Sequence, residues 1–319
     1  MDMDVAQAPP PPIYSPAVRD LVRTTLRSAR AELLASRELV LGGREPVGIH
    51  RSRVALRRLR AALALFRQPL AGDAILELRD DAKRLATACG PTRDIDVLLT
   101  GEFARAVTAL AHLPRAPGDL AALRETALRL RRTRHQQARA ALSGEAFAAF
   151  DRTLAAWLDR PISVEPPMEE MIGPLGFARE RLRKRHKRIN RRIKELDELP
   201  AEARHNLRLQ VKKQRYAASF LTPLFDPTAA RAYTGAAADL QDALGLANDR
   251  VEAMRIVGEI ADGARPTGRL DWIAGALSGW LAAAPTEEIE DAVSRTARRF
   301  ARVERFWRNG QEDEEQETI

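Results

Sequence analysis

Cationic side chains at helical spacing are the residues of this sequence best suited to chemistry. His50, Arg53, Arg57 and Arg60 follow one another at intervals of three or four residues, so on a helix they share an arc of about 80°. Guanidinium groups suit phosphate because each donates parallel hydrogen bonds from a planar fork. No acid interrupts the row, although neighbouring cations on a helix repel by about a few tenths of a kcal/mol. The row predicts a binding surface for an anion.

The same row returns 155 residues further along the chain, where HNLRLQVKKQR matches HRSRVALRRLR. A second region shares this offset without a gap, because Gly90 and Asp94 match Gly245 and Asp249. Two motifs at one offset predict two homologous helical halves. We expect such halves to pack about a pseudo-twofold axis with equivalent helices face to face. The matched pairs of the row are His50 with His205, Arg53 with Arg208, Arg57 with Lys212, Arg58 with Lys213, and Arg60 with Arg215.

Several side chains beside the rows have more than one predicted role. Asp94 and Asp249 each follow a glycine, and each either caps a helix or orients a nearby arginine. His50 and His205 open the rows, where they donate either to phosphate or to a structural hydrogen bond, and neighbouring cations disfavour their protonation. Arg93 joins the first row but has no cationic counterpart in the second half. The halves therefore need not contribute equally.

A third basic element spans residues 179–194, which hold ten Lys or Arg and one acid. Its local charge of +9 exceeds the +8 of the whole chain, so the rest of the sequence is close to neutral. The helix that opens the first half is a weaker counterpart. The cations predicted to bind an anion from these two helices are Arg181, Arg185, Arg188 and Arg192 in the second half, and Arg23, Arg27 and Arg30 in the first.

Arginine supplies almost all the positive charge, because only six of the 52 Lys and Arg residues are Lys. The codon preference of a GC-rich genome is the alternative explanation. The single cysteine, Cys89, excludes a disulfide framework. No zinc motif, P-loop or nucleophile elbow occurs, so we expect a non-catalytic protein without metal or cofactor. Asp94 and Asp96 are the nearest approach to a carboxylate pair, and they leave a metal-dependent phosphohydrolase as a further alternative.

Helices must position all these side chains. Apolar residues recur at intervals of three and four along most of the chain. Leu56, Leu59 and Leu63 lie opposite the first cationic row, on the face that a bundle would bury. The sequence predicts an all-α protein. Turn-forming residues, which mark the expected breaks between helices, cluster at Gly42-Gly43, Gly90-Pro91, residues 114–118, Ser143-Gly144 and Pro200.

The predicted organisation comprises a leader (1–14), a first half (15–160), a linker (161–173), a second half (174–309) and an acidic tail (310–319). No apolar run reaches the roughly 18–20 residues that a membrane helix needs. The start of the chain also lacks the pattern of a signal peptide. We therefore expect a cytoplasmic protein with no membrane partner.

The segments IHRSRVALRRLRAALALF and RHNLRLQVKKQRYAASFLTPLF, with the runs GPTRDIDVLL and LQDALGLANDR, resemble the CHAD domain, the conserved histidine α-helical domain. The resemblance extends from residue 15 to residue 308. It implies two four-helix bundles related by pseudo-twofold symmetry, with a basic surface or channel that binds inorganic polyphosphate. It also implies association with polyphosphate granules in bacteria. The ExExK motif of the triphosphate tunnel domain, to which some relatives are joined, does not occur here.

Nucleic acid is the alternative partner, because it offers the same anionic backbone. Base readout and single-strand binding usually add exposed aromatic side chains among the cations. Only Tyr216 adjoins the cationic rows, and aromatic residues make up 5% of the chain. This scarcity favours a plain phosphate polymer over nucleic acid.

Overall fold

The computed structural model describes residues 14–43, 46–70, 73–160, 171–263, 270–283 and 286–308. Helices account for nearly all of these residues, and the single β-type contact among them is an isolated bridge between Tyr14 and Ile172. The all-α prediction is confirmed. The predicted leader up to residue 13, residues 161–170 of the predicted linker and the predicted acidic tail lie outside the described residues.

The two halves contribute seven and five α-helices to the described residues. None of these helices has the length and apolar character that crossing a membrane requires. The helices of the first half are α1 (Pro16–Leu41), α2 (Val47–Leu65), α3 (Arg67–Leu70), α4 (Asp73–Thr100), α5 (Glu102–Ala109), α6 (Ala116–Ser143) and α7 (Glu145–Asp159). Those of the second half are α8 (Pro174–Lys194), α9 (Ala201–Leu221), α10 (Pro227–Asp262), α11 (Asp271–Ala283) and α12 (Glu287–Arg302).

One predicted break is wrong, because α4 continues without interruption through Gly90-Pro91. Proline removes one backbone hydrogen bond from a helix interior. The neighbouring side chains of Cys89 and Ile95 are buried, so tertiary packing holds this part of α4 together. The predicted break at Gly42-Gly43 is confirmed, since α1 ends there and Gly43 has a φ of 74° that favours glycine.

Residues from both halves build the larger apolar core. Phe66, which follows α2, stacks on Phe177 of α8 with ring centroids 5.7 Å apart. Equivalent helices also meet, because α2 packs against α9 and α4 packs against α10. The halves therefore share their buried surface, as expected of two copies that fold onto one another.

A second, smaller core is also built jointly. It contains the last turns of α4, α5 and the start of α6 from the first half, with the end of α10 and α11 from the second. Phe103, Leu120 and Ile273 are among its buried side chains. Both apolar cores are thus built from residues of both halves.

A buried polar network ties the chain's last described residues to the larger core. Gln214 Nε2 donates a hydrogen bond to the Tyr233 hydroxyl at 2.9 Å, and His186 Nδ1 lies 2.9 Å from the same oxygen. The Tyr233 ring meets Trp307 edge-on, with centroids 4.8 Å apart. Gln214 Nε2 also donates to the Leu182 carbonyl at 3.3 Å, so the hydroxyl is its second partner, and it is the partner of His186 Nδ1.

We expect Tyr233→Phe to lower the free energy of unfolding by about 1–3 kcal/mol, because it leaves buried polar atoms unpaired. Urea denaturation followed by circular dichroism measures this change. Tyr216→Phe is the matched control, since the Tyr216 hydroxyl makes no hydrogen bond within the described residues. Equal stability of the two variants would contradict a structural role for the network.

Candidate anion-binding site

Two cationic rows meet where α2 packs against α9. Arg53 and Arg57 belong to α2, whereas Arg208, Lys212 and Arg215 belong to α9. Burial lowers the pKa of Lys212 to about 7, and all four arginines contribute to this shift. The five charges are therefore close enough to act on one another. We call these five residues the basic cluster.

The apolar faces of the same helices fix the basic cluster in place. Leu56 of α2 and Leu207 and Val211 of α9 are fully buried, so the cationic rows are left at the edge of the helix contact. Arg58 adds a link between the helices, because its guanidinium carbon lies 5.6 Å from the centroid of the Phe220 ring. The packing thus brings together two rows that the sequence separates by 155 residues.

In the first half, a glycine and an acid of α4 hold Arg53. Arg53 Nη1 lies 3.1 Å from Asp94 Oδ1. A Cβ at Gly90 would lie 2.8 Å from the same Nη1, so any side chain at this position would displace the guanidinium. Burial raises the pKa of Asp94, while the Arg53 charge opposes that rise.

The second half repeats this arrangement on α10. Arg208 Nη2 lies 3.6 Å from Asp249 Oδ1, and a Cβ at Gly245 would lie 3.3 Å from Arg208 Nε. Asp94 and Asp249 both lie inside helices rather than at helix starts. The predicted capping role is therefore wrong, and the predicted orientation of arginines is confirmed. Gly90, which the sequence suggested was a break, and Gly245 make room for the arginine side chains.

Arg57 and Lys212 carry charges that no ion pair in the described part of the chain neutralises. Arg57 Nε is buried without a hydrogen-bond partner there, and burial lowers the pKa of its guanidinium. Arg215 donates from Nε to Gln241 Oε1 at 3.2 Å, which is a neutral partner. The sequence did not single out Gln241, because the matching position in the first half is Ala86 and the repeat gives no signal there. The basic cluster thus retains an excess of positive charge.

The two histidines stand at the ends of the rows in different surroundings. Partial burial lowers the pKa of His50, and Arg93 is the largest of the charges that add to this effect. His205 Nδ1 lies 2.9 Å from Asn248 Oδ1 and donates to it. His50 therefore faces a cation where His205 faces a neutral amide. The halves thus differ at this position, and an unequal contribution to binding stays a prediction.

Arg23, Arg27 and Arg30 lie outside the basic cluster. Arg30 makes a double hydrogen bond to Asp151 of α7 at 2.6 and 2.7 Å. Arg27 donates to the Leu158 carbonyl at 3.2 Å, and Arg23 donates to the carbonyl of the residue after α7. The structure does not bring these cations to the site, because the carbonyls at the end of α7 and its acids already bind them.

The cations of α8 form a separate row. Arg181 donates to Tyr14 Oη at 3.3 Å, and Arg192 Nη1 lies 3.1 Å from Glu195 Oε2. Burial lowers the pKa of Arg185 to about 10, and the charges of Arg181 and Arg188 add to this shift. Arg185 donates to the Arg181 carbonyl of its own helix at 3.4 Å, and neither Arg185 nor Arg188 makes an ion pair within the described residues. These two residues are the candidate extension of the anion-binding surface, whereas Arg192 is paired with an acid.

The remaining predicted residues of the rows lie at the margin of the basic cluster. Arg58 Nε is 3.2 Å from Glu32 Oε2 on α1. Arg60 faces Arg79 and Asp80 of α4, and burial lowers the pKa of its guanidinium. Lys213 is exposed on the outer side of α9.

Asp94 and Asp96 do not converge on one site. Asp94 pairs with Arg53, while Asp96 is buried against Arg131 Nε on α6. Within the residues that the structure describes, no three His, Cys, Asp or Glu side chains are placed to hold a metal ion. The carboxylate pair on which a phosphohydrolase would depend is therefore divided between two helix contacts.

We expect one of the six lysines to titrate with a midpoint near pH 7, because burial and four arginines lower the pKa of Lys212 to about 7. NMR spectra of protein labelled with 13C-lysine follow each Cε signal through the titration. The low midpoint should vanish in Lys212→Met, persist in Lys213→Met and rise in Arg57→Gln. Six midpoints near the ordinary value of about 10.4 would contradict the basic cluster.

Comparisons with known proteins agree with this architecture. The family model of the CHAD domain matches residues 24–257. The crystal structure of the CHAD domain from the plant Ricinus communis is similar, with a TM-score of 0.72 and 25% identity, over 94% of this chain and 96% of that one. PptA from Streptomyces chartreusis shares the fold, with a TM-score of 0.66 and 19% identity, over 88% of this chain and 98% of that one. A comparison with curated protein sequences found no match. Since the family model matches well over half of its length, the chain belongs to the CHAD domain family.

Proposed function

We propose that this protein binds inorganic polyphosphate, without catalysis, at the basic cluster. The observation that carries the proposal is the pair Arg57 and Lys212, whose charges meet cations from both halves and no acid in the described part of the chain. Membership of the CHAD domain family supports this ligand, because the resemblance to that family implies polyphosphate binding. Association with polyphosphate granules in the cytoplasm is part of the same proposal.

The physical basis of binding is the replacement of counterions. A linear polyphosphate carries a charge on each phosphate, and cations that neutralise a polyanion release its condensed counterions. Folding has already brought the five cations of the basic cluster together against their mutual repulsion. An anion that enters the cluster relieves this repulsion. Because the repulsion is already present in the free folded protein, its relief adds to the affinity for the anion.

Nucleic acid is the second candidate ligand. The positions of the aromatic side chains favour it less than polyphosphate. Tyr216 and Phe220, which lie beside the cationic row of α9, are buried and stack on one another with centroids 6.2 Å apart. Bases that stack on a protein need exposed rings among the cations. The basic cluster therefore suits a polymer without bases.

The separation of Asp94 from Asp96 favours binding without catalysis. A phosphohydrolase that used a divalent metal would need Asp94 and Asp96 on one site. Each of them pairs with a different arginine. Release of orthophosphate from polyphosphate with Mg²⁺ or Mn²⁺, abolished by Asp94→Asn, would contradict the non-catalytic proposal.

Removing the cations that lack an acidic partner should abolish binding. We expect the triple variant Arg57→Gln, Lys212→Gln, Arg215→Gln to lose about a hundredfold or more in affinity for long-chain polyphosphate. The negative slope of log affinity against log salt concentration should become shallower by about two, as for three lost phosphate contacts on a single strand. Fluorescence anisotropy with labelled polyphosphate measures both quantities.

The matched control removes the same charge from α6, by Arg124→Gln, Arg132→Gln and Arg139→Gln, all exposed positions. This variant should bind nearly as the unaltered protein does. Duplex DNA, single-stranded DNA and RNA serve as competitors at physiological salt. Equal loss in the two triple variants, or tighter binding to a nucleic acid, would overturn the proposal.

The affinity should also depend on pH through Lys212. Free Lys212 has a pKa of about 7, and a bound phosphate raises it, so above pH 7 binding must take up a proton. Affinity should be full below pH 7 and fall by up to about tenfold per pH unit above it, until the pKa of the complex is passed. Lys212→Arg keeps the charge at every pH and should remove this dependence. A slope that persists in Lys212→Arg would show that another group is responsible.

A further inference from the structure

We propose that Lys212 is a modification site, at which small acyl phosphates transfer their acyl group to the side-chain amine. The inference rests on the proposed function, because it uses the affinity of the basic cluster for phosphate. It goes beyond that function, because it makes the same cluster a place where a covalent bond forms.

Lys212 differs from the other lysines in its surroundings. The charges of Arg53 and Arg57 act on it across the contact between α2 and α9, and Arg208 and Arg215 flank it on its own helix. Lys184 has an acidic partner, since its Nζ lies 2.6 Å from Glu180 Oε1. Lys212 makes no ion pair within the described residues, and the residue is half-buried rather than enclosed in the core.

The state of the amine follows from this setting. The charges that act on Lys212 are those of four arginines, and the acids beside two of them, Asp94 and Asp249, are paired with Arg53 and Arg208. At subsaturating acyl phosphate the rate follows the protonation state of the free protein. With a pKa of about 7 there, roughly nine-tenths of the amines are unprotonated at pH 8. An ordinary lysine with a pKa of about 10.4 has less than about one in a hundred in this state. Only the unprotonated amine has a lone pair for attack.

The reaction has two requirements: an unprotonated amine and an acyl donor placed beside it. The arginines supply the second. Arg57 and Arg215 are free of acidic partners among the described residues, so their guanidinium groups are available to bind the phosphate end of the donor. Binding at this point brings the acyl carbon beside the amine and replaces a bimolecular encounter by a local one. The same guanidinium groups stabilise the phosphate as it departs.

The step conserves atoms and charge. The lone pair of Lys212 Nζ forms a C–N bond with the carbonyl carbon, and the bond between that carbon and the bridging phosphate oxygen breaks. The phosphate leaves with the bonding electrons and takes up the proton that the nitrogen loses. The products are an amide on Lys212 and free orthophosphate, and no oxidant or reductant takes part.

The modification would act on polyphosphate binding in both directions. An amide cannot be protonated, so acylation removes one cation from the basic cluster and fills part of its space. Bound polyphosphate, in turn, covers the amine and raises its pKa. Acylated protein should therefore release the polymer, and protein that holds the polymer should resist acylation.

The test uses the full-length protein, acetyl phosphate at pH 8 and mass spectrometry of all six lysines. Lys213 is the internal control, because it is the next residue on α9 but is exposed. We expect Lys212 to be acetylated at least about tenfold faster than Lys213, with a rate that rises through pH 7. Equal rates at the two lysines would overturn the proposal.

A second acyl donor without phosphate, an N-hydroxysuccinimide ester of acetate, separates the two requirements. Orthophosphate should slow the reaction of Lys212 with acetyl phosphate and leave its reaction with the ester unchanged. Arg215→Gln should reduce the preference for Lys212 with acetyl phosphate more than with the ester. Unchanged selectivity between the donors would overturn the role given to the arginines.

The final arm distinguishes this inference from the proposed function. Polyphosphate should protect Lys212 from both donors, and Lys212→Gln, which resembles an acylated lysine, should weaken polyphosphate binding. Fast acetylation of Lys212 without protection by polyphosphate would contradict the proposed function while supporting the modification site. Tight polyphosphate binding at the basic cluster with no preference for Lys212 would contradict the modification site alone.

Discussion

Like charges held together at a helix contact are the constraint on which the rest of this structure depends. The five residues of the basic cluster repel one another, and Arg57 and Lys212 have no acidic partner among the described residues. Repulsion between neighbouring cations on a helix costs about a few tenths of a kcal/mol per pair, whereas one fully buried leucine contributes about 1.5–3 kcal/mol. The apolar faces of α2 and α9 therefore prevail and hold the charges in a fixed arrangement.

The shared cores explain why this arrangement is stable on both sides of the contact. Residues of both halves build the larger core, in which Phe66 stacks on Phe177, and residues of both halves also build the smaller one. Separation of the halves would expose both cores at once. The contact between α2 and α9 is thus held by their own apolar faces and by the rest of the shared cores, and it sets the positions of the cations.

Arginines with the same spacing have different roles in this protein. Arg30 on α1 makes a double hydrogen bond to Asp151, and Arg53 on α2 is held by Asp94 beside a glycine that leaves it room. Arg57 has neither kind of partner in the described part of the chain. A row of cations on a helix therefore predicts anion binding only when the acids and carbonyls that face it are known. The charge that stays unpaired after folding is the charge that is available to a ligand.

The sequence by itself determined the all-α class, the family, the internal repeat and the angular placement of each cationic row, because these depend on spacing along a single helix. It also related Asp94 to the arginines, although it left capping as an alternative. Only the tertiary structure decided that α4 continues through Gly90-Pro91 and that Asp96 turns away to Arg131. It also decided that Lys212 is half-buried among arginines of both halves. The physical reason is that helical periodicity sets the direction of a side chain, whereas its partners and burial come from residues distant in the chain.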